Sequence, residues 1–281
     1  MTIDAHQHFW KFDPVRDAWI DESMTALRRD FLPHDLAPAY AANGIDGCIA
    51  VQADQSLAEN DFLLDLANRH SFIRGVVGWV DLCDPQVEEQ LERYAAHPKF
   101  VGVRHIVQAE PSGFLARPAF RRGIGRLLQY GLTYDLLVYH HQLPDALELV
   151  RAFPGQPFIL DHLGKPVIQG VPDPDWVANL RALAQLPNVH CKLSGLVTEA
   201  PGYHWTVDGM RPYLEEAVLA FGTRRLLYGS DWPVCLLAAD YASQLEVYRQ
   251  LFSGWPPSEI DHFFGSNARH IYRLPLSTPN A

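Results

Sequence analysis

Short apolar runs alternate along the whole chain with longer stretches of helical periodicity. Eight runs have strand length and are rich in Val, Ile, Leu and Tyr, and a helical stretch follows each one. The strands are predicted at 3–9, 45–52, 74–81, 100–105, 132–138, 158–162, 189–195 and 225–231. The helices are predicted at about 33–43, 57–70, 85–97, 118–130, 143–152, 174–185, 210–221 and 241–251, and a last one at 258–272. This alternation predicts an α/β fold, the (β/α)8 TIM barrel, with an extra C-terminal helix.

The pattern contains no break that would divide the chain. No run rich in Gly, Ser and Pro separates two parts, so residues 1–281 are predicted to form a single domain. The alternative is a doubly wound open sheet, but neither glycine-rich phosphate-binding motif follows any of the runs. In a barrel, catalytic residues lie at the C-terminal ends of the strands, so candidate residues are sought there.

Composition and charge narrow the class of protein. Of 281 residues, 48% are hydrophobic, which is enough for one large core. No apolar run approaches the roughly 18 residues that span a bilayer, and no basic and then apolar segment begins the chain. The four cysteines are scattered, as in a reducing compartment, so we expect a cytoplasmic protein. The net charge of −10 disfavours nucleic acid and membranes as partners. A monomer and a small homo-oligomer are both compatible with the sequence.

Two histidines, His6 and His8, lie at the end of the first predicted strand. Side chains alternate along a strand, so both imidazoles point to the same side. In that arrangement they can bind one divalent ion through neutral ring nitrogens. The other interpretation is a pair of hydrogen-bonded histidines at the barrel mouth.

Two further strand ends carry titratable residues. His162 ends the sixth strand and is predicted to face the same centre, while Asp161 is predicted to point the other way and to be structural. Asp231 ends the eighth strand, and Pro233 stops the strand soon after it. Close to a metal or a cationic histidine, Asp231 would stay ionised and could take a proton from water.

Other polar and aromatic residues near the strand ends are candidates for substrate binding. One of Arg104 and His105 is predicted to face the pocket, and an arginine there suits an oxygen-rich ligand. Lys192 on the seventh strand is a similar candidate. Four tryptophans flank the same region, and we expect only one or two of them to touch a ligand. These are Trp10, Trp19, Trp79 and Trp232, and the predicted substrate contacts are drawn from Trp10, Trp79 and Trp232.

Five segments resemble the amidohydrolase superfamily, and more narrowly its lactonase branch. They are Asp4–His8, Asp161–Pro166, Lys192–Gly195, Gly229–Pro233 and Phe264–Tyr272. The resemblance implies that His6, His8, His162 and Asp231 surround one divalent metal, with Zn²⁺ favoured, and that Asp231 also acts as base. Binuclear members carry a bridging lysine or glutamate on strand four, where this chain has Arg104 and His105. Some lactonases of the branch work without metal, so the resemblance does not require the ion.

The reaction that the resemblance implies is hydrolysis of a sugar lactone by base-activated water. L-Fuconolactone, from L-fucose catabolism, is the favoured substrate, and another sugar lactone such as L-rhamnonolactone is the alternative. We expect Asp231 to activate the water and His105 or His162 to protonate the leaving alkoxide. Two other classes stay open: a non-oxidative decarboxylase of the same superfamily, and a sugar-binding barrel without catalytic activity.

Overall fold

All eight predicted strands form in the computed structural model, which describes residues 1–275. They are β1 (Ile3–Gln7), β2 (Gly47–Val51), β3 (Ile73–Gly78), β4 (Phe100–Ile106), β5 (Thr133–Leu137), β6 (Phe158–Leu160), β7 (Val189–Leu193) and β8 (Leu226–Tyr228). Each strand pairs in parallel with the next one in the sequence. Just beyond β8, the Asp231 N–H donates to the His6 carbonyl at 2.8 Å and the His8 N–H donates to the Trp232 carbonyl at 2.7 Å. These bonds link the first and last strands, and the (β/α)8 barrel prediction is confirmed.

Helices surround the barrel, and each follows a strand. They are α1 (Pro33–Asn43), α2 (Leu57–Arg69), α3 (Val87–Ala95), α4 (Pro118–Leu127), α5 (Leu143–Ala152), α6 (Pro174–Ala184), α7 (Val207–Phe221) and α8 (Tyr241–Leu251). Helix α7 begins earlier than predicted because the Thr206 hydroxyl accepts the Gly209 N–H at 3.0 Å and caps the first turn. The predicted C-terminal helix is present in three pieces: α9 (Pro257–Asp261), a π-helical turn (His262–Ser266) and α10 (Asn267–Ile271). No helix among residues 1–275 is both long enough and apolar enough to cross a membrane.

Alternation along the strands divides the apolar side chains between two layers. One layer packs between the strands and the outer helices. A smaller cluster brings together strand residues such as Ile49, Val77 and Leu227 with Tyr272, just beyond α10. The pairing register of β1 shifts between Asp4 and Gln7. This irregularity lets Asp4 face the outer helices while the following histidines face the interior.

Candidate active site

Three imidazoles converge on one carboxylate oxygen where β1, β6 and β8 end. Asp231 Oδ1 lies 3.4 Å from His8 Nε2, 3.6 Å from His6 Nε2 and 4.0 Å from His162 Nε2. The His6 and His8 Nε2 atoms are 3.2 Å apart. We call these four residues the Asp231 cluster. All four side chains are buried, so their polar atoms have one another, rather than bulk water, as neighbours.

Left-handed backbone turns give the cluster its shape. His162 has φ 53° and Asp231 has φ 56°, a region that costs a residue with a Cβ about 1–2 kcal/mol. Gly195 faces them with φ +66°, and a Cβ at that position would lie 2.6 Å from His162 Nδ1. The turns end β6 and β8 earlier than predicted and direct both side chains toward the barrel axis.

Hydrogen bonds behind the rings prepare their nitrogens for a cation. The Val51 carbonyl can only accept, so His8 Nδ1, 2.8 Å away, carries the proton and His8 Nε2 has a free lone pair. His162 Nδ1 is held by Ser194 Oγ at 2.8 Å, a hydroxyl that can accept the Nδ1 proton and leave Nε2 as a lone pair. A tetrahedral ion with ligand bonds of about 2.0–2.1 Å requires ligand atoms about 3.3 Å apart. Three atoms of the Asp231 cluster, His6 Nε2, His8 Nε2 and Asp231 Oδ1, lie 3.2–3.6 Å apart, so these three residues fit one divalent ion. His162 Nε2 is farther out, 4.0 Å from Asp231 Oδ1.

The charge states of the cluster agree with that fit. Burial is the main cause that lowers the pKa of His6 well below its usual value, and burial also lowers the pKa of His162 to about 4. Both rings are therefore neutral near pH 7. Burial alone would raise the pKa of Asp231, but the His162, His8 and His6 rings lower it overall, and the carboxyl is ionised. Neutral imidazoles and an ionised carboxylate are the forms that bind metal.

The prediction that Asp161 points away from the site is wrong. Its Oδ1 lies 3.3 Å from His6 Nδ1, and its Oδ2 lies 3.2 Å from Arg104 Nη1. Strand β6 ends at Leu160, so the left-handed turn at His162 cancels the alternation that would have separated the two neighbours. Asp161 thus lies directly behind the cluster.

Asp4 is a second carboxylate that the sequence did not single out for a role. Its Oδ1 accepts the Ser230 N–H at 2.9 Å and its Oδ2 accepts the Tyr40 hydroxyl at 3.0 Å. Because Ser230 directly precedes Asp231, Asp4 fixes the start of the turn that carries the cluster's carboxylate. The only sequence signal was its place two residues before His6.

A cavity of about 250 Å³ opens above the Asp231 cluster. His8, His162 and Asp231 line it, and so does Arg104, whose Nη1 is 3.4 Å from His6 Nε2. As predicted for neighbours on a strand, only one of Arg104 and His105 faces the pocket. The volume is just below the usual range for drug-sized ligands, about 300–1,000 Å³, which suits a small molecule.

Several cavity residues lie in loops, where periodicity gave no signal. Trp19, in the long loop after β1, is 43% exposed and lines the cavity. Gln55 lines the cavity as well, and its Oε1 accepts the Ile106 N–H at 2.7 Å, which leaves the amide nitrogen as the group that can donate to a ligand. Gln108 also lines this cavity, and its buried Oε1 has no hydrogen-bond partner among residues 1–275. Lys165 Nζ pairs with Glu199 at 3.1 Å, and this partner helps to raise the pKa of Lys165 against the lowering effect of burial.

His105 was a predicted proton donor, but it lies outside the cavity lining described for residues 1–275. Its ring stacks on Phe114 with centroids 4.8 Å apart, and its Nε2 is 2.8 Å from Glu110 Oε1. The Trp79 indole N–H reaches His105 Nδ1 at 3.2 Å, so Trp79 also contacts this neighbour rather than the cavity. The position of neither side chain supports its predicted role.

The other three predicted substrate contacts lie deeper in the protein. Trp10 is buried and its indole N–H donates to the Arg29 carbonyl at 2.9 Å. Trp232 is buried against Phe31, with ring centroids 5.2 Å apart. Lys192 has no exposed surface and lies below the cluster. Within the described chain none of the three lines the cavity, so direct substrate contact is not supported for them.

Comparison with known proteins places this geometry in a family context. Residues 3–274 match the family model described as amidohydrolase. A Burkholderia multivorans protein named L-fucono-1,5-lactonase is 40% identical over 293 residues, 98% of this chain and 97% of its own. Its namesake in Burkholderia ambifaria is 38% identical and covers 97% of this chain and 95% of its own. The crystal structure of an amidohydrolase from Burkholderia multivorans with bound zinc superposes with a TM-score of 0.93 at 38% identity, over 98% of this chain and 100% of that one.

Proposed function

This chain belongs to the amidohydrolase family, and on that premise we propose that it hydrolyses sugar lactones, with L-fucono-1,5-lactone as the favoured substrate. The observation that carries the proposal is the Asp231 cluster on the floor of a small cavity, with the cationic Arg104 beside it. This arrangement combines a proton acceptor for water with a positive group for the oxygen of an attacked carbonyl.

In the proposed reaction the ionised Asp231 takes a proton from a water molecule, whose oxygen attacks the lactone carbonyl carbon. The Arg104 guanidinium donates to the carbonyl oxygen as negative charge develops on it. The bond between the carbonyl carbon and the ring oxygen then breaks. The proton held by Asp231 passes to the ring oxygen, with His162 as a second carrier at the cavity surface. The product is an open-chain aldonic acid, which releases one proton to solvent.

We further propose that His6, His8, His162 and Asp231 hold one zinc ion. The fit of the ligand spacing and the zinc bound by the Burkholderia multivorans relative support this assignment. A bound ion would act as a Lewis acid toward the lactone carbonyl. Because a lactone is an activated ester, Arg104 supplies part of the same stabilisation, and the proposal does not make the ion essential.

Substrate recognition is assigned to the loop residues on the cavity wall. The flat face of Trp19 suits the apolar face of a sugar ring. The Gln55 amide nitrogen can donate to a ring hydroxyl, the unpaired Gln108 Oε1 can accept from one, and Lys165 adds a charged donor. These residues replace the tryptophans of the strand ends as the proposed substrate contacts.

The proposal also covers the cellular location, the oligomeric state and the domain organisation of the enzyme. All four cysteines are free, and three of them are buried, as expected in the cytoplasm. We propose a cytoplasmic enzyme that acts as a monomer or a small homo-oligomer, with residues 1–281 as one domain.

The test is a pH-indicator assay over a panel of sugar 1,5- and 1,4-lactones, corrected for spontaneous hydrolysis, with 2,6-dihydroxybenzoate as the decarboxylase substrate. We expect acid release with L-fucono-1,5-lactone or a close stereoisomer and no CO₂ from the aryl acid. CO₂ release without lactone hydrolysis would establish the decarboxylase alternative. Sugar binding without turnover would establish the binding-protein alternative.

A further inference from the structure

A closed network of charges fills the barrel directly below the Asp231 cluster. Lys192 Nζ lies 2.5 Å from Asp135 Oδ2 and 3.0 Å from Asp161 Oδ1, and the Tyr272 hydroxyl donates to Asp135 Oδ2 at 2.7 Å. The charged side chains have no exposed surface. Together with Arg104 on Asp161, two cations balance two carboxylates, as buried charges require. Within the described residues, Lys192, Asp135 and Asp161 do not line the cavity, and Arg104 is the member that does.

The network meets the Asp231 cluster at one atom, His6 Nδ1. Lys192 Nζ lies 3.2 Å from this nitrogen and Asp161 Oδ1 lies 3.3 Å from it. An ammonium group can only donate and a carboxylate can only accept. Lys192 can therefore donate to His6 Nδ1 when this nitrogen is a lone pair, and Asp161 can accept from it when it carries a proton.

The other ring nitrogen of His6 has the same choice. His8 carries its proton on Nδ1 because the Val51 carbonyl must receive it, so His8 Nε2 is a lone pair. His6 Nε2 lies 3.2 Å from that lone pair. Arg104 Nη1, 3.4 Å from His6 Nε2, can donate to this nitrogen only when it is a lone pair. When His6 carries its proton on Nε2, that proton bonds to His8 Nε2 instead. When a cation takes both lone pairs, the His6 proton must instead lie on Nδ1.

We propose that Lys192 and Asp161 are positioning residues for His6, which hold its ring in the same place in either tautomer. In the metal-free protein, Lys192 donates to His6 Nδ1 and the Nε2 proton bonds to His8. With zinc bound, the His6 proton lies on Nδ1 and Asp161 accepts it. The Nε2 proton is released to solvent as the cation binds and one proton is taken up from solvent at Nδ1, so His6 carries one proton in both states. The inference deepens the proposed function, since it rests on the zinc site assigned there.

The two tautomers can be distinguished by long-range ¹H–¹⁵N correlation spectra of protein labelled at histidine, with the His6 signals identified by their loss in His6→Gln. For the wild type we expect the proton on Nε2 without metal and on Nδ1 with one equivalent of Zn²⁺. The double variant Lys192→Met/Asp135→Asn removes a cation and an anion together and leaves Asp161 paired with Arg104. We expect it to show the Nδ1 proton in both states, because nothing then donates to that nitrogen. The matched control Tyr94→Phe, which loses a hydroxyl bond to the Leu57 carbonyl far from His6 in the sequence, should behave as wild type.

The same His6 tautomer in both states of the wild type would overturn the proposal, and this measurement stands even if the double variant does not fold. A folded double variant whose spectra match the wild type would overturn it as well. Neither readout uses a lactone. A protein that shows the expected tautomer change but hydrolyses no lactone would contradict only the proposed function.

Discussion

Histidines gather at both ends of this barrel, but only one group is arranged to hold a metal. At the C-terminal ends of the strands, three imidazoles of the Asp231 cluster direct Nε2 atoms at one carboxylate oxygen. At the opposite end, three histidines line an open cleft of about 540 Å³ together with two arginines. This basal cleft is formed by His190, His262, His270, Arg224 and Arg225, with neighbouring residues.

The difference between the two regions lies in the partners of the histidines. In the basal cleft, the Arg224 guanidinium donates to His262 Nε2 at 2.8 Å and so occupies the lone pair that a metal would need. Burial and the positive charge of Arg225 lower the pKa of His190 to about 4. Among residues 1–275, the groups of ligand residues close enough for a metal all include His6 of the Asp231 cluster. A carboxylate at the convergence point, rather than the number of histidines, distinguishes the candidate metal site from the basal cleft.

The largest expected effect comes from removing that carboxylate's charge. We expect Asp231→Asn to lower kcat/KM for L-fucono-1,5-lactone by about 10³-fold, because the neutral amide cannot take a proton from water. The matched control is Asp208→Asn on α7, whose side chain is 90% exposed and which should keep wild-type kinetics. Equal losses of kcat/KM in both variants would contradict the assignment of Asp231 as the base that activates water.

The two histidine groups should differ sharply in zinc binding. We expect the wild type to bind one equivalent of Zn²⁺ in competition with a chelating dye. His8→Ala, which loses a ligand, should raise the Kd for Zn²⁺ about 100-fold, since each ligand contributes strongly to affinity. The basal double variant His262→Ala/His270→Ala should keep the wild-type affinity. If the basal variant loses the zinc instead, the assignment of the site is wrong.

His190 in the basal cleft should lower the free energy of unfolding at acid pH. The pKa of His190 is about 4 in the folded protein against 6.5 for an ordinary histidine, so the folded state favours the neutral ring. Above pH 6.5 the neutral His190 ring does not reduce the free energy of unfolding. As the pH falls from 6.5 toward 4, the ring takes up a proton more readily in the unfolded state, and the free energy of unfolding falls by up to about 3 kcal/mol. Urea titrations at pH 7 and pH 4 should show a smaller loss for His190→Gln than for the wild type. His34→Gln, at an exposed position, should match the wild type.

The smallest effect concerns the cavity wall. Gln108→Leu removes an acceptor that we assign to a sugar hydroxyl, and one such bond contributes about 1 kcal/mol. We expect KM for the lactone to rise about fivefold, with kcat nearly unchanged. Gln129→Leu, at an exposed position on the outer surface, is the control. A fall in kcat without a change in KM would assign Gln108 to the chemistry and not to binding.

The sequence predicted the barrel and the strand ends that carry the Asp231 cluster, because both follow from the spacing of apolar runs. It could not predict the direction of Asp161, because strict alternation fails where His162 adopts a left-handed turn. The depth of Lys192 was also hidden, since a pattern of period two gives the face of a strand but not the height along the barrel axis. Gln55 and Gln108 lie in loops, where neighbouring positions have no regular relation to one another.

The central claim is that the Asp231 cluster hydrolyses a sugar lactone, and one measurement tests it most directly. It is the rate of acid release from L-fucono-1,5-lactone by the purified wild type, above the spontaneous rate, followed to completion. We predict saturable acid release with one proton per lactone consumed, at a rate proportional to enzyme concentration. A rate equal to the spontaneous one for every lactone of the panel, with or without Zn²⁺, would contradict the claim.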